Sequence, residues 1–163
     1  MQIPFTQDEL AIAVRSWGCN CGPAALAVAL NVPLEAVRVA CEAVGFEGWM
    51  NPSLMLAVAE KLGRVIRRAD AFSGRFLWFV QWTGPWTDPD VMRKNPKWSY
   101  RFTHWVAVER SKDRRVPDMV FDVNAEEIIT KEEWVRVVVP ALVEPIKDAN
   151  GLWEKRGSFK VIE

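Results

Sequence analysis

The chain has 163 residues, half of them apolar and 26% charged, with Lys plus Arg and Asp plus Glu both at 21. That suffices for a single domain, 1–163, with a core that needs no staples, and it leaves no net field to draw in a polyanion, so nucleic acid is not an expected partner. Three cysteines exclude a complete disulfide framework, no apolar run approaches a membrane span, and the first ten residues lack the basic and apolar regions of a signal peptide, so a cytoplasmic, reducing location without a membrane partner is expected.

In chain order the first third reads as helical. Pro23 to Leu30 is small and apolar all round, the mark of a buried helix. Pro33-Leu34-Glu35-Ala36-Val37 opens a second helix that runs to about Val44, before Gly45. Asn51-Pro52 is an N-cap followed by a first-turn proline, and the helix it starts runs through Met55 and Val58 to Lys61, with Gly63 as its stop. The remainder reads mainly as strands. Phe76 to Trp82 is a continuous apolar run, as in a strand covered on both faces. Residues 83–103 form a long loop punctuated by Gly84-Pro85, Asp88-Pro89 and Asn95-Pro96. His104 to Val108 is a second strand, Ser111 to Pro117 a charged turn, and Met119 to Val123 a third strand antiparallel to the second. Thr130-Lys131-Glu132-Glu133 matches a capping box that starts a short helix at Trp134, and Asn150-Gly151 is a turn before a last strand near Phe159 to Ile162. Helices first and a sheet afterwards make an α+β fold, a helical half packed on an antiparallel half.

Two positions carry chemistry. Cys21 stands immediately before the buried helix, where the positive end of the helix dipole favours a thiolate. Gly22 leaves one side of it open, and Pro23 fits a first helical turn. The chain has one histidine, His104, at the start of a strand, so any mechanism needing an imidazole must use it. Taken alone, each has a plain structural reading: a buried cysteine in a helix cap and a half-buried histidine. Across the Ser111–Pro117 turn, however, an antiparallel pairing centred on residue 113 sets Asp122 opposite His104, and one centred on residue 114 sets Asn124 there. Either side chain would fix the imidazole's tautomer and orientation.

The segments Cys21-Gly22-Pro23-Ala24-Ala25-Leu26, His104-Trp105-Val106-Ala107-Val108 and Val120-Phe121-Asp122-Val123-Asn124, in that order over roughly residues 10–125, resemble a papain-like cysteine peptidase. The closest branch is that of the peptidases that remove double-glycine leaders from bacteriocin precursors. The style is also similar to small phage and proteobacterial proteins. The resemblance implies a papain-like fold and a peptide or protein substrate. It implies that Cys21 is the nucleophile, His104 the general base and acid, and Asp122 the orienting residue, acting through an acyl-enzyme with no cofactor. One departure concerns the oxyanion-hole glutamine that such families place six residues before the nucleophile: here that position is Arg15. The Cys21 backbone N–H supplies one donor, and Asn20, Ser16 or Arg15 is left as the second.

The alternative is a catalytically inactive scaffold of the same fold that binds a peptide or protein. It is suggested by the missing glutamine and by nine tryptophans, of which Trp82, Trp86, Trp98 and Trp105 are candidate cleft walls, although core is the plainer reading for most of them. Trp17 and Trp49 read as core or cleft edge. A zinc site from Cys19, Cys21, Cys41 and His104 is disfavoured, because Cys19 and Cys21 are one residue apart and Cys41 lies within a helix, so no metal is expected. Cys19, in the loop before the helix, reads as exposed and as the poorer nucleophile. Peptidase, amidase, deconjugase and acyl transferase all share this chemistry, and the residues do not separate them.

Overall fold

A computed structural model describes residues 1–125 and 127–162. Four helices come first, and each starts where its local chemistry allows. Helix α1 (Gln7–Trp17) opens on a complete capping box: Thr6 accepts from the Glu9 amide while the Glu9 carboxylate accepts from the Thr6 amide, and Gly18, at φ 74°, closes it. Helix α2 (Cys21–Leu30) is capped by Asn20, whose Oδ1 accepts from the Gly22 amide at 3.1 Å, and its residues from Gly22 to Leu30 are all buried. Helix α3 (Leu34–Ala43) follows Pro33. Helix α4 (Pro52–Lys61) is capped by Asn51, which accepts from the Leu54 amide at 2.8 Å.

The strands are β1 (Val65–Arg68), β2 (Gly74–Trp82), β3 (Thr103–Arg110), β4 (Met119–Phe121), β5 (Ile128–Thr130) and β6 (Trp153–Ile162). They form one six-stranded antiparallel sheet in the order β1-β6-β2-β3-β4-β5, so the last strand inserts between the first two. Strand β2 is buried throughout from Phe76 to Trp82, as its unbroken apolar run requires, because the sheet has a core on each face. Leu77, Phe79, Trp105, Ala107 and Phe121 point to the helical layer, and α2 packs against β3 there. The alternate residues Phe76, Trp78, Val80, Trp82, Val106, Val108 and Val120 point the other way. They meet Trp134, Val138, Val139 and Val143 from the C-terminal helical segment: α6 (Lys131–Glu133), a wider π turn over Trp134–Val138, and α7 (Val139–Val143).

Residues 83–103 are not a plain loop. They hold short 3-10 turns at Pro85–Thr87 and Pro96–Tyr100 around α5 (Pro89–Lys94), which Asp88 caps. Each proline starts a turn in which its missing N–H is not needed. Strands β1 and β5 and helix α1 add to the elements expected from the sequence. The last strand begins at Trp153, well before Phe159, and the capped helix begins at Lys131 rather than Trp134. No helix among the described residues is long and apolar enough to cross a membrane.

Candidate active site

Cys21 is the first residue of α2, so its amide lies among the helical N–H groups with no intrahelical acceptor. His104 is the second residue of β3 and 8% exposed. Because α2 lies on β3, the sulfur and the imidazole meet at the end of the sheet, close enough for each to shift the other's proton affinity, and the Trp105 backbone amide also bears on the sulfur. The other ring nitrogen, Nε2, is 2.9 Å from Asp122 Oδ2. Asp122 is fully buried, and four donors converge on its carboxylate. Oδ2 also accepts from the Trp134 indole at 2.8 Å, and Oδ1 accepts from the Asn124 backbone and side-chain amides, each at 2.9 Å.

The pairing of β3 with β4 explains which acid is used. Ala107 faces Phe121 and Val108 faces Val120, a register that sets Val106 opposite Asp122 and His104 opposite Asn124. The strand ends at Phe121, however, and the chain turns, with the Ala125 amide donating to the Asp122 carbonyl at 2.9 Å. Asn124 is thereby carried into an exposed position, and Asp122, the diagonal neighbour, reaches the histidine. Strand parity alone left Asp122 and Asn124 open, while the resemblance implied Asp122. In the structure Asp122 holds the ring and Asn124 holds Asp122.

These contacts bias the protons. Burial alone would push the Cys21 thiol up, but the charge and hydrogen bond of His104 and the Trp105 amide together hold it below its ordinary value. Burial alone would lower His104, yet the Cys21 thiolate and the hydrogen bond and charge of Asp122 push it up to about 10. Asp122 resists burial in the same way and stays below the usual carboxylate range, through His104 first and then the Asn124 amide and the Trp134 indole. The favoured arrangement is a thiolate, an imidazolium and a carboxylate in line, which is what nucleophilic attack followed by proton delivery to a leaving group requires. Cys19 and Cys41 behave oppositely: burial pushes both thiols up to about 12.

Cys21 and His104 open into a cavity of about 590 Å³ walled by one face of α1, through Gln7, Leu10, Ala11, Val14 and Arg15, and by the turn after β4, through Val123 and Asn124. Several expected site residues lie elsewhere. Trp82, Trp86 and Trp105 are core residues. Trp82 stacks on His104 at 5.8 Å between ring centres, Trp86 donates to the Trp82 carbonyl, and Trp105 donates to the Met50 carbonyl at 2.7 Å. Trp98 packs under Arg101. None of the four lines the cavity: the Trp82 and Trp105 rings lie on the two faces of the sheet, and Trp86 and Trp98 belong to the 3-10 turns of residues 83–103. Trp17 packs edge-on against Phe46, and Trp49 stands half-exposed against Tyr100.

Gly22 does not open an approach to the sulfur. It is buried against Met50, where an added Cβ would fall 2.9 Å from the Met50 Cβ. Ser16 lies on the other side of α1, in a separate cavity with Trp17 and Pro33. Asn20 reaches the site, but its side chain is committed at both ends, to the Gly22 amide and to the Gly48 carbonyl. Arg15 does line the cavity. Cys19, expected in an exposed loop, is 2% exposed and packed in the core. The sequence reading missed the α1 wall and Trp134. The Thr6-x-x-Glu9 capping box was the available signal for α1, and nothing local marks Trp134 as an Asp122 partner. Among the described residues no three His, Cys, Asp or Glu side chains cluster as metal ligands would.

No family model, curated protein or solved structure matches the chain.

Proposed function

We propose that the protein is a cysteine hydrolase acting on a peptide or protein, of papain-like type, in which Cys21 is the nucleophile, His104 the general base and acid, and Asp122 the orienting carboxylate. The observation that carries this reading is the continuous chain from the Cys21 sulfur through His104 to the fully satisfied Asp122, opening into a cavity. The thiolate attacks a carbonyl, its sulfur bonds to carbon, and an oxyanion forms within reach of the Cys21 amide at the start of α2. The imidazolium then gives its proton to the leaving amine, and water, deprotonated by the same imidazole, releases the acyl group. Asp122 keeps Nε2 protonated, so the nitrogen facing sulfur is the one that exchanges protons.

The test is alkylation of the thiols by iodoacetamide at neutral pH, read residue by residue by mass spectrometry. Cys21 is expected to react faster than an ordinary thiol of pKa near 8.5. Cys19 and Cys41, buried and held protonated, should stay unlabelled. Substituting His104→Ala removes the partner that stabilises the thiolate and should slow Cys21 severalfold at pH 7. An unaltered rate in a folded His104→Ala protein would leave only the inactive, peptide-binding scaffold.

A further inference from the structure

The wall of the cavity beside Cys21 has an uneven chemistry. Leu10, Ala11, Val14 and Val123 give it an apolar strip, and Gln7, Asn20 and Asn124 give it neutral polar groups. Among the described residues Arg15 is its one permanent charge, and neither Asp nor Glu lines it. Glu9 is held by the Thr6 cap and lies on the opposite side of α1, in the cavity that contains Ser16. The Arg15 side chain is exposed and, among the described residues, has no ion pair and no hydrogen bond, so its guanidinium stands unengaged at the cavity wall. Arg15 belongs to the last turn of α1. Its place is fixed by a helix whose Ala13 and Val14 carbonyls accept from the Gly18 amide, immediately before the nucleophile loop.

We infer that Arg15 is a specificity-determining residue that receives a carboxylate of the substrate close to the scissile bond, beside an apolar group seated on Leu10, Ala11, Val14 and Val123. The inference rests on the hydrolase reading for the word substrate, but the anion subsite itself does not. A guanidinium meets a carboxylate through two parallel N–H donors, which orients as well as attracts it. A volume of about 590 Å³ is in the range of small-ligand sites and holds a short peptide end or an acidic side chain together with one apolar neighbour. The substrates favoured are therefore acylated amino acids or peptides with a free carboxylate near the cleaved bond, over neutral amides of the same shape.

The experiment compares two alkylating agents of nearly equal size, anionic iodoacetate and neutral iodoacetamide, on Cys21. In both, sulfur displaces iodide from a methylene carbon. No tetrahedral oxyanion forms, so a role of Arg15 as an oxyanion donor does not enter. The imidazolium of His104 is common to every variant and cancels in the comparison. The rate ratio of iodoacetate to iodoacetamide is expected to fall by about two- to fivefold in Arg15→Gln, the size of one solvent-screened charge contact. It should fall less in Arg15→Lys, stay at the starting value in Arg38→Gln, which removes one positive charge elsewhere, and lose its dependence on residue 15 at high salt. A ratio that is the same in Arg15→Gln and Arg38→Gln overturns the anion subsite and leaves the hydrolase reading as it was. Failure of iodoacetamide to label Cys21 faster than an ordinary thiol defeats the hydrolase reading, and the ratio still decides the subsite.

Discussion

Both oxygens of Asp122 are taken, and the donors differ in what their loss should cost. Oδ2 accepts from His104 and from Trp134, in a place no water reaches, and Oδ1 accepts from the amide and side chain of the exposed Asn124. Replacing Asp122 by Asn puts an NH₂ against donors that need an acceptor and removes the charge that balances a buried imidazolium. We expect Asp122→Asn to destabilise the fold by about 2–4 kcal/mol in urea unfolding. Asn124→Ala keeps the backbone amide on Oδ1, and its cost should stay under about 1 kcal/mol. The reverse order would make Asn124 the orienting residue. Strand parity does not make this distinction, which at the level of sequence rests on the resemblance alone. Parity along the strand put Asp122 and Asn124 on one face with His104, but the choice between them depends on the chain turning away after Phe121. Cys21 and His104, by contrast, stood out as candidates, one by its place before an apolar helix and the other because no second histidine exists, although each taken alone also fits a structural role.

At the scale of elements, α2 is held at one depth by what lies against its first turn. Gly22 sits on Met50, whose carbonyl accepts from Trp105 at the base of β3, so the helix, the loop before α4 and the histidine strand are packed together at the nucleophile. A methyl group at position 22 has no room unless Met50 or the helix shifts. We expect Gly22→Ala to lower stability by about 1–3 kcal/mol despite alanine's better helix propensity, and to slow the iodoacetamide reaction of Cys21 by moving the sulfur relative to His104. A folded Gly22→Ala protein of unchanged melting temperature would show that the contact yields. The same elements show what a single sequence reveals. Helices α2 and α4 were legible because uniform burial, Asn-Pro and a following glycine are local signals. Helix α1 escaped because its exposed Ile12 and Val14 blur the apolar period of Leu10 and Ala13. Strand β1 has one buried residue, Ile66, and β5 one, Ile129, so neither carries an alternation long enough to read.

At the scale of the whole molecule, the buried charges of the site tie stability to pH, and the proton count gives the sign. In the folded protein the Cys21 thiolate and the His104 imidazolium share one proton, because the first is held below its ordinary value and the second is pushed up to about 10. In the unfolded chain between about pH 6.5 and 8.5 the thiol is protonated and the imidazole neutral, again one proton. In acid, the unfolded chain takes up a proton at Asp122 before the folded protein does, because the fold holds this carboxylate below its ordinary range, and stability falls with falling pH. Above about 8.5 the unfolded chain holds no proton on these groups while the folded pair keeps one until about 10. Stability then falls as pH rises, by about 1.4 kcal/mol per unit and roughly 2 kcal/mol in all. Cys19 and Cys41, pushed up to about 12, add their own alkaline loss, so the raw curve is steeper than the pair alone makes it. A difference isolates the site. Cys21→Ala leaves Cys19 and Cys41 in place and removes the thiolate, the leading cause that raises His104. The stability of the unsubstituted protein minus that of Cys21→Ala, measured by urea unfolding from pH 8 to 10.5, is expected to decline through this range and then level off. A flat difference curve would mean that the folded pair gives up its shared proton at the same pH as the unfolded chain, and that the fold adds nothing to the pair's hold on it.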